Sequence, residues 1–162
     1  MTAPTDLGPL CEVHVLQLPV AIWRNAQQHT DELLREFSLI VEQIHQEGEG
    51  GSAAPVRLLR LVDELSATYS QFSTSQEEAL FAAAADGTES LDLVYEVPRS
   101  VGPAAQHLAD LLDEVDDYCR AGQHLLTLAA PTEVVRFRRW FLDEFMRQAD
   151  GHEATPWPQY PA

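Results

Sequence analysis

Residues 19–46, PVAIWRNAQQHTDELLREFSLIVEQIHQ, constrain the fold of this chain more than any other stretch. Trp23, Ala26, Thr30, Leu33, Phe37, Ile40 and Ile44 recur at alternating steps of three and four, and Leu34 and Val41 widen the stripe. At 3.6 residues per turn these side chains share one side, so the spacing predicts a long amphipathic helix with a face to bury. A helix of that kind needs partners, and the rest of the chain offers them.

Residues 1–9, with two prolines and a glycine, read as a poorly ordered lead-in. Residues 10–18 alternate, with Cys11, Val13 and Val15 on one side and Glu12 and His14 on the other, as a half-buried strand does. Pro19 suits the first position of the long helix, where its missing N–H costs nothing. The glycine-rich run 47–52 reads as a connector, and Pro55 opens a second helix carrying Leu58, Val62, Leu65, Tyr69 and Phe72. Two helices so joined favour an antiparallel hairpin. Thr74 and Glu77 have capping-box spacing, which predicts a third helix that Asp86-Gly87 stops.

Residues 91–97 alternate Leu91, Leu93, Tyr95 and Val97 against Asp92 and Glu96, a second strand closed by Pro98. A helix then carries Val101, Ala105, Leu108, Leu112, Val115 and Cys119 inward, with Asp110, Asp113, Glu114, Asp116 and Asp117 on its remaining surface. Residues 124–129 read as a third short strand, and Pro131 starts a last helix with Val134, Phe137, Phe141 and Phe145 on one face and Trp140 and Met146 beside it. Both this last strand-proline-helix run and the first one end in an acidic residue and Phe, an internal echo. The tail 151–162 cannot continue a helix and is either disordered or laid across the domain. The expected fold is α+β, a mainly helical single domain over 10–150 with a small sheet of three strands, in the order strand, helix, helix, strand, helix, strand, helix.

At 162 residues and 45% hydrophobic, the chain suits one domain that buries roughly 70% of its unfolded surface. Ten basic residues, all Arg, stand against 26 acidic ones, a formal charge of −16. That balance opposes unspecific attraction to nucleic acid and to anionic lipid, so another protein is the expected partner. With no apolar run near the ~20 residues of a membrane span, and no signal-peptide pattern, a cytoplasmic location is expected. Cys11 and Cys119 read as free thiols.

Several clusters could carry chemistry. Glu42 and His45 have the Glu-x-x-His spacing of di-metal bundles, though a second pair is missing. The trios His29, Glu32, Glu36 and His107, Asp110, Glu114 could each converge on a metal if a neighbouring helix added ligands; solvated polar faces would show the same spacing. The run 48–53 matches a dinucleotide glycine fingerprint only superficially, because a helix and two glutamates precede or interrupt it. Ser73, Thr74 and Ser75 are candidates for phosphorylation at a helix start, or plain capping groups. Trp23 and Phe37 on the long helix, with Trp157 and Tyr160 in the tail, are candidate contacts to a partner. Four of the ten arginines, Arg136, Arg138, Arg139 and Arg147, gather on the last helix as counter-charge for the acidic helix before it. A self-complementary stripe on the long helix would also serve a homodimer.

Two segments resemble the anti-sigma kinases of bacterial partner-switching systems. HLLTLAAP at 124–131, followed by Val134, Val135, Arg136 and Arg139, looks like their opening strand and helix, and VDELSAT at 62–68 is similar to their Glu-Leu-x-x-Asn helix. Thr68 stands where the magnesium-holding Asn would be, the segments occur in reverse order, and the Asp-x-Gly-x-Gly adenine loop is missing, so ATPase activity is not implied. LQLPVAIWRNAQQHTDELLREFSLI and RFRRWFLDEFMRQADGHEATPWP also resemble small actinobacterial proteins associated with such systems, as the Arg-only basic usage of a GC-rich genome would suit. The resemblance implies a non-catalytic regulatory or protein-interaction module needing no cofactor, with a signalling protein as partner. The alternative from the residues alone is a metal- or ligand-binding helical protein, an enzyme or a sensor.

Overall fold

The computed structural model describes residues 7–47, 54–121 and 130–161, the side chains of 44–47 excepted. Strands β1 (Leu10–Pro19) and β2 (Ser90–Pro98) pair antiparallel, with Leu10 opposite Pro98 and Pro19 opposite Ser90. The helices are α1 (Val20–Glu47), α2 (Ala54–Tyr69), α3 (Thr74–Asp86), α4 (Val101–Arg120) and α5 (Thr132–Ala149), with one-turn 3-10 segments at Ser70–Phe72 and Trp157–Gln159. The fold is α+β and mainly helical. Among the described residues the sheet has two strands; the third strand expected at 124–129, the glycine connector beyond Glu47 and the strand portion of the second echo run lie outside them.

The sheet departs from simple alternation in a way that aims its inner face. Val13 and Val15 are buried, and the register then slips between Val15 and Leu18, where two β1 residues oppose Asp92 alone. Gln17 takes a left-handed φ of 55° there, and its N–H donates to the Asp92 carboxylate at 2.7 Å. This bulge turns Gln17 to solvent and brings Leu18 into the core, where strict alternation would put Gln17 inside. Pro19 therefore closes the strand opposite Ser90, and α1 begins one residue later than expected, at Val20, whose N–H donates to the Glu89 carbonyl at 3.0 Å.

Both open edges of the two-stranded sheet are occupied by side chains. The Gln148 amide accepts from the His14 N–H and donates to the His14 carbonyl, each at 2.8 Å, as a neighbouring strand would. On the other edge the Gln76 amide donates to the Val94 carbonyl at 2.7 Å. His14 and Val94 face each other across the ladder with their peptide groups pointing outward, so the two glutamines satisfy one rung.

Helices α1, α2, α4 and α5 close a ring: α2 and α5 each contact both α1 and α4. Arg57 meets Glu114 and Tyr69 meets Ser100, so α2 runs antiparallel to α4; Arg138 meets Asp113 and Ala149 meets Gly102, so α5 does too. A Cβ on Gly102 would sit 3.3 Å from that of Ala149, so glycine permits the close α4–α5 approach. The sheet and α3 cover one end of the ring. Under them lies a core of Val13, Val15, Leu18, Tyr95, Phe137 and Trp140, while a second core of Leu33, Phe37, Leu58, Leu111 and Val115 fills the far end.

Three local expectations are corrected. The Thr74–Glu77 capping box does not form, because α2 continues through the 3-10 turn and both the Ser73 and Thr74 hydroxyls turn back to the Ser70 carbonyl at 3.2 Å. Asp116, assigned to the outer surface of α4, is 3% exposed beneath Arg138. Helix α5 starts at Thr132, with Pro131 as the flanking residue. The Asp86-Gly87 stop forms as read, Gly87 adopting φ 73° and donating to the Ala83 carbonyl.

Candidate functional site

Between the two cores the ring is not filled. A cavity of 460 Å³ lies there, open to solvent on the side of the exposed Thr30, Ser66, Ser70 and Glu77, and within the roughly 300–1,000 Å³ typical of small-molecule sites. Trp23, Tyr95 and Phe137 wall it from the sheet end, Leu33 and Leu58 from the far end. The space follows from side-chain size. The α1 stripe presents Ala26 and Thr30 at this level, α2 presents Ser66, and α4 presents Ala104 and Ala105. Short residues on three helices meet where long ones above and below set the spacing, so the gap is built into the sequence.

The wall is mainly apolar, as Leu65, Leu108 and Phe141 illustrate. Three of its polar residues, Ser70, Ser73 and Glu77, gather where the 3-10 turn and the first turn of α3 meet the sheet, facing the same space as Tyr95. Burial holds the Tyr95 phenol far above its ordinary pKa and the Glu77 charge adds to this, so the ring keeps its proton. Tyr69, at the same end, is hydrogen-bonded through its hydroxyl to Ser100 at 2.9 Å. Gln27 and His29 add polar atoms along α1. Arg138 reaches the wall from α5, but its guanidinium is bonded to Asp116 and, at 3.1 Å, to Asp113.

The candidate contact residues fall in different places. Trp23 is 5% exposed, edge-on to Phe81 at 5.1 Å, and Phe37 is fully buried against Tyr118. Neither offers its ring to a partner, because Trp23 packs into the core under the sheet and Phe37 into the core at the far end. Trp157 lies on the core, its ring 5.4 Å from Trp140, with the Arg136 guanidinium 4.2 Å above it. Tyr160 is half-buried, and its carbonyl accepts from Arg136. The tail is thus laid across the domain. Ser73 borders the cavity, while Thr74 and Ser75 are exposed.

Among the described residues, the proposed metal ligands are not brought together, and no group of three His, Cys, Asp or Glu side chains could hold a metal ion. Glu32 and Asp110 lie on outer faces and accept from Gln28 and Gln106 of their own helices, while Glu114 forms a bidentate pair with Arg57. That pair draws the Glu114 carboxyl below its ordinary range. Glu42 is exposed, Glu36 is half-buried, His107 is exposed, and the His45 side chain lies outside the described residues.

The arginines of α5 divide their work. Arg138 and Arg139 counter the acidic α4, Arg139 reaching Asp113 at 3.1 Å, whereas Arg136 and Arg147 hold the tail. Arg147 bonds Glu144 at 3.0 Å, the Thr155 hydroxyl at 2.9 Å and the Glu153 carbonyl at 3.1 Å. The completely buried Glu144 carboxylate also accepts from Gln148 at 2.7 Å and from the Thr155 N–H at 2.9 Å. Both cysteines are free, and burial pushes the Cys119 thiol up to about 11. Among the described residues no helix is long and apolar enough to cross a membrane.

Sequence periodicity missed the cavity because it counts apolar positions without weighing their size. The clue was present in Ala26, Thr30, Ser66 and Ala104–Ala105, small residues at one level of three stripes. No protein-family model, curated protein or solved structure matches this chain.

Proposed function

We propose that this protein is a regulatory binding module that takes an apolar small molecule into the cavity between its helices. The carrying observation is that cavity, bounded by α1, α2, α4, α5 and the sheet and lined mainly by aliphatic and aromatic side chains. Occupying it would bury apolar ligand surface at about 25 cal/mol per Å². A ligand there touches all four helices of the ring, so its presence would reach the outer faces that a protein partner could read, in keeping with the regulatory role the sequence suggested.

Nile red, an uncharged dye that brightens in apolar surroundings, tests the site. The full chain should bind one dye per chain saturably, and Ala104→Phe, which places a ring in the cavity, should weaken binding while circular dichroism stays helical. Failure of the dye to bind, or binding untouched by Ala104→Phe, overturns the proposal.

A protein-contact reading is favoured separately by Phe81 and Leu39, 62% and 63% exposed on α3 and α1. Leu39→Ser should then weaken self-association in sedimentation experiments without lowering stability, and Phe81→Ser should do so at the cost of its edge-on contact with Trp23; unchanged sedimentation refutes it.

A further inference from the structure

We infer that the cavity selects an apolar molecule ending in a hydroxyl or an ammonium group and disfavours one ending in a carboxylate. This rests on the small-molecule reading above and adds the chemistry of the polar end. One polar group of the wall lies at the sheet end, where Ser70, Ser73 and Glu77 border the same space as Tyr95, and Gln27, His29, Thr30 and Ser66 line it along α1 and α2. Glu77 brings a negative charge, Ser70 and Ser73 bring hydroxyls, and Tyr95 brings a protonated phenol. The Ser73 hydroxyl already donates to the Ser70 carbonyl at 3.2 Å, so it meets a ligand as an acceptor.

A hydroxyl or ammonium head fits this set, since it donates to Glu77 and Ser73 and, if a hydroxyl, accepts from Tyr95. A carboxylate head would face the like charge of Glu77. The Arg138 guanidinium, which also reaches the wall, is committed to Asp116 and Asp113 of α4. The chain as a whole, at −16, adds to the repulsion.

Three probes with one tail separate the possibilities: decylamine, 1-decanol and decanoate, each titrated calorimetrically into the full chain below its aggregation concentration. Decylamine and 1-decanol should bind, and decanoate should bind at least about tenfold more weakly, the scale of one like-charge contact in a partly solvated site. Glu77→Gln should reduce the decylamine-to-decanoate ratio to about threefold or less, with helicity retained. Decanoate binding as tightly as the other two, or a ratio unmoved by Glu77→Gln, overturns the head-group inference while leaving the cavity reading standing. If none of the three binds, the cavity reading itself falls.

Discussion

Arg138 and Asp116 form an ion pair at the α4–α5 seam whose removal can be worked out from the structure. Their side chains are 15% and 4% exposed, so the pair has left most of its hydration behind. Asp113 would keep Arg139 if Arg138 were lost, but the charge on Asp116 would remain buried without a cation. Breaking such a pair from one side costs about 3–5 kcal/mol, a large share of a typical 5–15 kcal/mol total stability. We therefore expect Arg138→Met to lose about 3–5 kcal/mol in urea unfolding followed by circular dichroism and tryptophan fluorescence. Replacing both partners, Arg138→Met with Asp116→Leu, removes the stranded charge and should return stability to within about 1 kcal/mol of the parent. With Asp116→Leu alone as the fourth corner, the cycle then measures the coupling between the two side chains. If Arg138→Met cost less than about 1 kcal/mol, or the double variant were no better than the single one, the charge would not be buried as described.

Three further perturbations follow from the same geometry. Burial raises the Glu144 pKa above its ordinary 4.5 against the pull of its hydrogen bonds, so the folded state holds that proton longer than the unfolded one. The stability this gives is complete below about 4.5 and is lost as pH rises through the folded value; melting temperatures of the parent relative to Glu144→Gln should fall as pH rises from 4 to 7, and a constant difference refutes the assignment. Trp157→Ala removes ring contacts with Trp140 and Phe137 and the Arg136 stack, and should cost about 2–3 kcal/mol with a red shift of the Trp140 emission; a neutral result means the tail does not cover the core. Gln17→Gly relieves the left-handed backbone at the bulge and should stabilise by about 0.5–1 kcal/mol, whereas Gln17→Val should destabilise; equal effects in thermal unfolding would argue against that φ.

The elements were legible in the sequence because each rests on local chemistry. A period near 3.6 can be met only by a helix and a period of two only by a strand, whatever lies across from them. That fixed α1, α2, α4 and α5 and the two described strands to within a residue or two, and Gly87 marked the end of α3 because glycine alone reaches φ 73° without cost. The counter-charge role of the α5 arginines was legible for Arg138 and Arg139, since opposite charges on neighbouring helices attract over several ångströms.

What the tertiary structure alone decided is which side chain meets which. Asp116 looked solvated because a helix surface has no outside until a second helix packs on it; α5 then covered it and supplied Arg138. The bulge at Gln17 depends on Asp92, 75 residues away. Trp23 and Phe37 were read as partner contacts and became core because the other elements packed on that part of the stripe. The cavity is the same effect in reverse: Ala26, Ser66 and Ala104 are unremarkable on their own helices, and only the closing of the ring sets their short side chains opposite one another with space between them.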